Sequence, residues 1–526
     1  MPCNARPVLI AALMLTARLP AAHSPAAGNG EPPEPEQQAH GRPNIIFVLA
    51  DDLGYGDLGC YNPESKIPTP ILDRLAAGGM RFTNAHTPSS VCTPTRYGVL
   101  TGRYAWRTWL KRSVLDGFDP PLIGSQRLTV AKLLNQQGYA TACIGKWHLG
   151  MNWRQNTGHR MGVRDQRGGF RPGYNVNYAQ PTTGGPNDVG FDYYFGISAS
   201  LDMSPYCFIE NRRTVGIPDI RTPLNRSLVM NQVAGLKTKD FRLLDVLPKT
   251  TDKAIDWISK QVKADRPFFL YLPLNGPHLP VVPNRQFFGK SQAGAYGDFV
   301  FEIDHEMGRL FSALKRQQVF DNTLIIFTSD NGSCWHYWDY LEADDRNFGK
   351  PGQRQRAMRP YGHQSNRPWR GQKADAWEGG HRVPFIVHWT GKVAPGQVTD
   401  ALVELTDFTA TCAELTGFKL NQNNAADSFS FLPLLTGKSK TTRSYSIHHS
   451  LSGMFAISQG DWKLITERGS GGFSRPRSVS VKHGEATGQL FNLRTDPQET
   501  KNLYLKHPEK VRELAAKLAE IQHVTP

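Results

Sequence analysis

The chain has 526 residues, of which 39% are hydrophobic and 20% are charged, and its formal net charge is +15. This composition is typical of a soluble globular protein and excludes a disulfide-stapled mini-protein, because the seven cysteines are too few for such a length. The positive charge suits an acidic partner, either nucleic acid or a sulfated polysaccharide, although scattered surface lysines are an equal explanation. No zinc-finger, homeodomain or RNA-binding signature is present, so nucleic acid is not predicted as a partner.

The N-terminus has the pattern of an export signal. Arg6 precedes an apolar run from Val8 to Leu15, and small residues follow it. The run is too short to span a bilayer, and no later segment is apolar enough to do so. We therefore predict a signal peptide over residues 1–26, a flexible Pro/Gly/Glu-rich linker over 27–42, and an exported (periplasmic, secreted or otherwise extracytoplasmic) protein.

A continuous apolar run from Asn44 to Ala50 opens the folded part of the chain. Such a run is typical of a strand that is buried on both faces of a parallel sheet. Asp51 and Asp52 follow it directly, at the carboxyl end of the strand, where ligands gather in open α/β sheets. Two adjacent carboxylates at such a place need neutralisation, which a hard cation would supply. Helix capping by an aspartate is the plainer alternative.

Cys92 is the predicted catalytic centre. Pro94 favours a helix start beside it, Gly102 is a plausible end, and Arg96 lies one turn on, on the same helix face. The helix N-terminus and the guanidinium both favour an anion, which suggests chemistry on an oxyanion ester. An ordinary helix-start cysteine and a thiolate phosphatase loop are the alternatives, but phosphatase loops space cysteine and arginine further apart.

Two later strands lead to cationic or titratable side chains. The strand predicted over 139–144 is followed by Lys146 and His148, which point to the same side if the backbone stays extended. One cation and one imidazole suit anion binding with proton transfer. The strand predicted over 267–272 leads to His278, which prolines flank on a stiff loop. A structural histidine is an equal interpretation of His278.

A further buried strand, predicted over 323–328, ends at Asp330 and Asn331. This arrangement parallels Asp51 and Asp52, since oxygen ligands again follow an apolar strand. Together the four side chains supply the hard oxygen donors that calcium prefers, and no spacing typical of structural zinc is present. Asp-Asn-Gly alone is a common turn, so the prediction of a metal site depends on the parallel with Asp51 and Asp52 at the end of the first strand.

Aromatic residues follow this second acidic strand end, among them Trp335 and His336. Flat rings can stack on sugars, and burial beneath a loop is the alternative. We expect residues 152–187, which are rich in Gly, Arg and Asn, to form a long loop over the site.

The order of elements predicts an α/β fold in which helices sandwich a large mixed, mostly parallel sheet. A smaller C-terminal α+β domain with an antiparallel sheet should follow, so the predicted domains are 43–440 and 441–526. Residues 455–458 and 462–465 flank a hairpin signal at Gln459-Gly460-Asp461. The predicted helices cover residues 67–76, 128–137, 251–263, 296–317, 407–415 and 508–522.

Several motifs resemble, in order, those of the type I (formylglycine-dependent) sulfatases, an arylsulfatase-like family of the alkaline phosphatase superfamily. The resemblance runs from Asn44 to about Leu503 and implies an alkaline-phosphatase-like fold. It rests on Cys-Thr-Pro-Thr-Arg at 92–96 with Leu-Thr-Gly-Arg at 100–103, and on segments 145–150, 190–196, 369–384 and 490–503.

The resemblance implies that Cys92 is oxidised to formylglycine by a formylglycine-generating or sulfatase-maturing enzyme. There is a chemical reason for this modification. A thiolate that attacked sulfur would form a stable thiosulfate ester. A hydrated aldehyde instead has two hydroxyls, one to attack sulfur and one whose deprotonation expels sulfate.

The family roles transfer to matching positions of this chain. Arg96 and Lys146 would hold the formylglycine, His148 would deprotonate its spare hydroxyl, and His278 and Lys373 would hold sulfate and protonate the leaving alcohol. The implied calcium ligands are Asp51, Asp52, Cys92 as formylglycine, Asp330 and Asn331. The predicted substrate-binding residues are Lys146, His278, Lys373, Trp335 and His336.

The sequence therefore predicts a sulfuric ester hydrolase that acts on a sulfated carbohydrate. A phosphodiesterase or phosphonate hydrolase with the same nucleophile is one alternative. A secreted glycan-binding protein without catalysis is another, although every expected polar position is filled.

Overall fold

The computed structural model describes residues 41–156, 175–225, 231–334, 362–421 and 423–523. Residues Arg42–Pro526 form one compact unit. The predicted signal peptide, nearly all of the linker, the centre of the 152–187 loop, and Trp335 and His336 lie outside the described residues. Within the described part, no helix is both long and apolar enough to cross a membrane.

The strands are numbered here in chain order. They are β1 (Asn44–Asp51), β2 (Met80–Phe82), β3 (Ala85–His86), β4 (Ala140–Lys146), β5 (Tyr193–Ile197), β6 (Ile209–Glu210), β7 (Arg213–Thr214), β8 (Ile220–Thr222), β9 (Gly235–Lys237), β10 (Phe268–Pro277), β11 (Thr323–Ser329), β12 (Phe385–His388), β13 (Gln397–Thr399), β14 (Val403–Glu404), β15 (Tyr445–His449), β16 (Phe455–Gln459), β17 (Trp462–Ile465) and β18 (Gln489–Asn492).

The α-helices are numbered in the same way. They are α1 (Pro70–Ala77), α2 (Cys92–Thr101), α3 (Val130–Gln136), α4 (Val246–Lys263), α5 (Gly294–Arg316), α6 (Glu378–His381), α7 (Phe408–Thr416), α8 (Leu432–Leu435) and α9 (Pro508–His523).

A large mixed sheet has the strand order β13-β2-β12-β11-β1-β10-β4-β5-β6-β7 across the described residues. Its centre, from β11 to β5, is parallel, whereas β12 and β6 run antiparallel to the neighbours that they pair with. The three predicted apolar runs are confirmed as β1, β10 and β11, and every residue of these strands is buried. The predicted mostly parallel sheet is therefore confirmed.

Helices cover both faces of this sheet. Along β1, Ile45, Phe47 and Leu49 pack into a core with α2, α3 and α7, whereas Ile46 and Val48 pack into a second core with α1, α4 and α5. Strand side chains alternate between faces, so a strand between two helical layers must be apolar on both. This explains why β1 is a continuous apolar run.

A separate antiparallel sheet follows near the C-terminus, with the order β15-β16-β17-β18. The hairpin predicted around Gly460 joins β16 to β17, and this glycine has φ +56. Helix α9 packs on this sheet through Leu514, Leu518 and Ile521. The predicted smaller antiparallel layer is confirmed, and the boundary at 440/441 stays a prediction.

Gly145 controls how β4 approaches its neighbours. It has φ +133, and an added Cβ would lie 1.9 Å from the carbonyl oxygen of Pro273 on β10. Its partner on β5 is Gly196, where a Cβ would lie 1.7 Å from the Gly145 oxygen. The two glycines therefore allow three strands to pack closely, immediately before Lys146.

Gly145→Ala should lower the free energy of unfolding by at least about 2 kcal/mol, because the new methyl group meets backbone in a strained conformation. Gly124→Ala is the matched control, since no atom lies within 4 Å of its added Cβ, and its change should stay within about 0.5 kcal/mol. Urea denaturation of both variants measures the difference. Equal stability of the two variants would contradict this account.

Candidate active site

The carboxyl ends of β1 and β11 place four polar side chains together. Asp51 ends β1 and Asp52 follows it with φ +67, which turns the chain out of the sheet. Asp330 and Asn331 follow β11, which pairs with β1. All four residues are fully buried, and the Asn331 amide donates to Asp52 Oδ1 at 2.7 Å. The predicted convergence of the two acidic strand ends is observed.

Helix α2 begins at Cys92, and Gly102 follows its last residue in the left-handed conformation with φ +62. Cys92 Sγ lies 3.6 Å from Asp51 Oδ1 and 3.4 Å from Lys373 Nζ. Burial and the nearby Asp330 carboxylate raise the pKa of the Cys92 thiol well above its usual value. Burial therefore outweighs the helix dipole, and the unmodified side chain is a neutral thiol rather than a thiolate.

Arg96 joins the two acidic strand ends. Its Nε and Nη2 donate to Asp330 Oδ2 at 2.9 and 2.7 Å, and Nη2 lies 3.6 Å from Asp51 Oδ1. Its Nη1 donates to the carbonyl oxygen of Lys146 at 3.0 Å. One buried guanidinium thus orients carboxylates from both strands and anchors the end of β4.

Two lysines complete the charge balance. Lys146 Nζ lies 2.6 Å from Asp51 Oδ2, and Lys373 Nζ lies 2.7 Å from Asp52 Oδ1. Burial alone would raise the pKa of Asp51, but the charges on Lys146, His278, Arg96 and Lys373 outweigh it and lower that pKa well below its usual value. Asp51 is therefore ionised at any working pH.

The oxygen atoms at this edge fit a divalent cation. Asp51, Asp52, Cys92 and His278 each bring one donor atom into a group whose members lie within 4.8 Å of one another. Asn331 Oδ1 is buried and accepts no hydrogen bond from the described residues. Burial and the Asp51 charge raise the pKa of Asp330, so a cation would relieve a real repulsion there. Carboxylate and amide oxygens suit calcium or magnesium.

His148 has a defined tautomer. Its Nε2 lies 2.7 Å from the Leu115 carbonyl oxygen, which can only accept, so Nε2 carries the proton. Nδ1 is buried and has no hydrogen-bond partner among the described residues. Burial, Lys146 and Arg96 lower the pKa of His148 well below its usual value. The ring is therefore neutral, with Nδ1 available to accept a proton.

The backbone does not stay extended through His148. The prediction that Lys146 and His148 point to the same side required an extended backbone, so strand geometry does not align them. Strand β4 ends at Lys146 and His148 has φ +56. Its N–H donates to the Ser198 carbonyl oxygen at 3.0 Å. A turn rather than strand periodicity therefore places this imidazole.

His278 and Lys373 reach Asp52 from other parts of the chain. His278 Nδ1 donates to the Leu279 carbonyl oxygen at 2.6 Å, and Nε2 lies 3.7 Å from Asp52 Oδ2. The backbone N–H of Lys373 donates to the Ser333 carbonyl oxygen at 3.1 Å. The structure thus brings together all of the predicted catalytic and metal-binding residues that it describes.

The C-terminal sheet supports this site in a way that the sequence does not indicate. The Ser90 N–H, two residues before Cys92, donates to the His449 carbonyl oxygen at 3.0 Å. The N–H of Ala374, next to Lys373, donates to the Ser90 carbonyl oxygen at 2.7 Å, and Leu451 N–H donates to the Ala374 carbonyl oxygen at 2.9 Å. These backbone bonds hold two active-site segments, and backbone bonds leave no residue-type signal.

Two family models and several known proteins match this chain. The Sulfatase family model matches residues 43–418, and the model described as N-sulphoglucosamine sulphohydrolase, C-terminal, matches residues 372–524. An N-acetylgalactosamine-6-O-sulfatase of Bacteroides thetaiotaomicron is 33% identical, over 91% of this chain and 93% of that protein. Human arylsulfatase A is 32% identical, over 88% of this chain and 83% of its own length.

Solved structures are similar as well. One from Bacteroides thetaiotaomicron, described in connection with the metabolism of multiple glycosaminoglycans, has a TM-score of 0.75 and 31% identity. It covers 91% of this chain and 99% of that chain. The PsFucS1 sulfatase from Pseudoalteromonas sp. has a TM-score of 0.67 and 26% identity, and covers 92% of this chain and 90% of that chain.

Arg96→Met should lower the free energy of unfolding by about 3–5 kcal/mol, because it leaves the buried Asp330 carboxylate without its guanidinium partner. The matched control is Arg494→Met. Arg494 makes a similar two-bond contact with Asp461, at 2.7 and 2.9 Å, but its side chain is 75% exposed. Solvent screens such a pair, so this variant should unfold close to wild type.

Urea denaturation in the presence of a chelator compares the two arginine variants without a contribution from bound metal. If both variants lost a similar amount of unfolding free energy, burial would not explain the contribution of the Arg96 contact to stability.

Proposed function

Because this chain belongs to the sulfatase family and is a sulfatase, we propose that it releases sulfate from a sulfated carbohydrate. Sulfate ester hydrolysis is the reaction of the family, and the carbohydrate substrate is the part that we propose. Two observations support it: a relative that is 33% identical is named for the 6-O-sulfate of N-acetylgalactosamine, and the chain carries a formal charge of +15, which suits anionic glycans.

The convergence of Cys92 with three carboxylates and three buried cations carries the proposal for the chemistry. Cys92 as formylglycine, made by a maturing enzyme, is the proposed nucleophile. Hydrated, it would offer one hydroxyl to attack sulfur and another whose deprotonation releases sulfate. The raised pKa of the thiol supports this, since an unmodified, protonated Cys92 is a poor nucleophile.

The proposed metal is calcium. Its ligands would be Asp51, Asp52, Asp330 and Asn331 together with Cys92 as formylglycine, and it would neutralise their charge and polarise the sulfate oxygens. The buried Asn331 Oδ1, which accepts no hydrogen bond from the described residues, supports a role as a ligand.

The remaining residues supply charge and move protons. His148 Nδ1 is the proposed base, because the Leu115 carbonyl fixes the proton on Nε2. Lys146 and Arg96 would hold the nucleophile beside Asp51. His278 Nε2 and Lys373 Nζ, both near Asp52, would bind the sulfate group and donate a proton to the leaving alcohol.

Export and domain boundaries rest on the sequence. The apolar run that follows Arg6 supports a signal peptide over 1–26 and an extracytoplasmic location. The antiparallel sheet that begins at Tyr445 supports a C-terminal domain over 441–526, after a catalytic domain over 43–440.

Cys92→Ala should abolish hydrolysis of N-acetylgalactosamine 6-sulfate and of 4-nitrophenyl sulfate, because alanine cannot be converted to the aldehyde whose hydrate supplies the attacking hydroxyl. Released sulfate and nitrophenolate measure the two rates. Cys60→Ala is the control, since Cys60 is only partly buried and does not belong to the group of residues around Asp51 and Asp52 that could hold a metal ion. It should turn over both compounds like wild type.

Wild-type-like hydrolysis by the Cys92 variant, with an unchanged unfolding midpoint, would refute the nucleophile. Peptide mass spectrometry of the wild-type protein from its native host should show the aldehyde at position 92. Faster turnover of phosphate diesters than of any sulfated saccharide in a panel would instead favour the phosphodiesterase alternative.

Removal of calcium should abolish activity and lower the unfolding midpoint, because a cation that binds only the folded state stabilises it. At one hundred times its dissociation constant this contribution is about 2.7 kcal/mol. Differential scanning calorimetry with chelator and then with added calcium measures it. Asn331→Ala should reduce the calcium-dependent shift, whereas the exposed control Asn423→Ala should keep it. An identical melting curve with and without calcium would refute the assignment.

A further inference from the structure

Unsatisfied buried polar atoms lie at the ends of three neighbouring strands, β10, β4 and β5. Both amide atoms of Asn275, Nδ1 of His148, Oγ of Ser200 and Oδ1 of Asp202 are buried without a hydrogen-bond partner among the described residues. Buried polar atoms are almost always paired, so several unpaired ones along one edge of a sheet indicate a place where a ligand supplies the partners.

Ser200 and Asp202 belong to the segment 198–204, which leaves β5 beside the active site. The N–H groups of Trp147 and His148 donate to the carbonyl oxygens of Ile197 and Ser198, both at 3.0 Å. The start of the segment is therefore bonded directly to the backbone of the proposed base.

The other end of the segment packs against the chain that orients the same histidine. A Cβ added at Gly117 would lie 2.0 Å from the Ser204 carbonyl oxygen. Gly117 is two residues beyond Leu115, whose carbonyl oxygen accepts a hydrogen bond from His148 Nε2. The segment is thus fixed at both ends relative to the His148 ring.

The backbone of the segment is well satisfied, in contrast to its side chains. Val233 N–H donates to the Asp202 carbonyl oxygen at 2.9 Å, and Met203 N–H donates to the Ser200 carbonyl oxygen at 3.0 Å. The Gln232 amide donates to the Leu201 carbonyl oxygen at 3.2 Å. The conformation is therefore held by the backbone, and Ser200 Oγ and Asp202 Oδ1 have no hydrogen-bond partner among the described residues.

The Asp202 carboxylate lies within electrostatic reach of the active-site cations. Burial raises the pKa of Asp202, and the charges on His278, Lys146 and Lys373 act in the opposite direction. His278 and Lys373 are the residues proposed above to bind the sulfate group, and Lys146 is proposed to hold the nucleophile. Asp202 is thus a further carboxylate under the influence of these groups, and it follows β5, whereas the proposed metal ligands Asp51, Asp52 and Asp330 lie at the ends of β1 and β11.

We propose that the segment 198–204 is the subsite for the sugar ring that carries the scissile sulfate, and that Asp202 accepts a hydrogen bond from a hydroxyl of this ring. The inference rests on the proposed action on a sulfated carbohydrate. Sulfate oxygens only accept hydrogen bonds and would be repelled by a carboxylate, whereas sugar hydroxyls donate. Asp202 is therefore a specificity-determining residue, and Ser200 and Asn275 offer neutral partners to further hydroxyls.

Asp202→Asn tests this subsite, because it keeps the size of the side chain and removes its charge. For N-acetylgalactosamine 6-sulfate, kcat/KM should fall about 10-fold, because the charged acceptor is replaced by the neutral amide oxygen of asparagine. For 4-nitrophenyl sulfate, whose ring has no hydroxyl, the loss should be smaller by a factor of about ten. Asp219→Asn, at an exposed position, is the control and should behave like wild type on both compounds.

Monodeoxy analogues of the sugar sulfate sharpen the test. For the analogue that lacks the contacted hydroxyl, wild type and the Asp202 variant should have the same kcat/KM, because the interaction is already lost. Equal losses on the sugar and aryl sulfates would overturn the inference, and so would no loss on the sugar. If the wild type cleaves aryl sulfates but no sulfated saccharide, the carbohydrate proposal fails and this inference fails with it.

Discussion

Charge compensation at the end of β1 is the constraint on which the site depends. Asp51, Asp52 and Asp330 are fully buried, and bare carboxylates in such a place would be very costly. Arg96 and Lys146, together with Lys373, provide a matching number of cations. Because these groups come from distant parts of the chain, the site can form only when the main sheet and its covering helices are complete.

The parallel sheet explains why the charges meet. Strands β11, β1, β10 and β4 are adjacent and parallel, so their carboxyl ends share one edge. The edge has two chemical halves. The ends of β1 and β11 carry the carboxylates, which Lys146 at the end of β4 and other cations compensate, whereas residues at or after the ends of β10, β4 and β5 include buried polar atoms that have no partner among the described residues. The first half suits a cation and an anionic ester, and the second suits a neutral, hydroxyl-rich group.

Much of this arrangement was predictable from the sequence, because its signals are local. The apolar runs of β1, β10 and β11 predict the sheet, and the polar residues at the ends of β1 and β11 predict where the buried carboxylates meet. The start of α2 at Cys92 and its end before Gly102 follow from turn and cap chemistry.

Other features depend on tertiary contacts and leave no local pattern. His148 is placed by φ +56 and by a hydrogen bond to Ser198, which strand periodicity does not suggest. The C-terminal sheet contacts the Cys92 segment through residues 360 positions apart, Ser89 and His449. Asp202 is an ordinary aspartate in the sequence, and it is distinguished in the structure by a buried oxygen that has no hydrogen-bond partner in the part of the chain that the structure describes.

The state of Cys92 follows from the same charge balance. A helix N-terminus and two lysines nearby favour a thiolate, but burial and the carboxylates of Asp330 and Asp51 raise the pKa of Cys92 and favour the neutral thiol. Ionised carboxylates that could bind a cation therefore disfavour a negatively charged thiolate beside them. A hydrated aldehyde avoids this conflict, because its hydroxyls are neutral until a base such as His148 removes a proton. The buried carboxylates that suit this edge to a cation thus also help to keep the unmodified Cys92 thiol protonated.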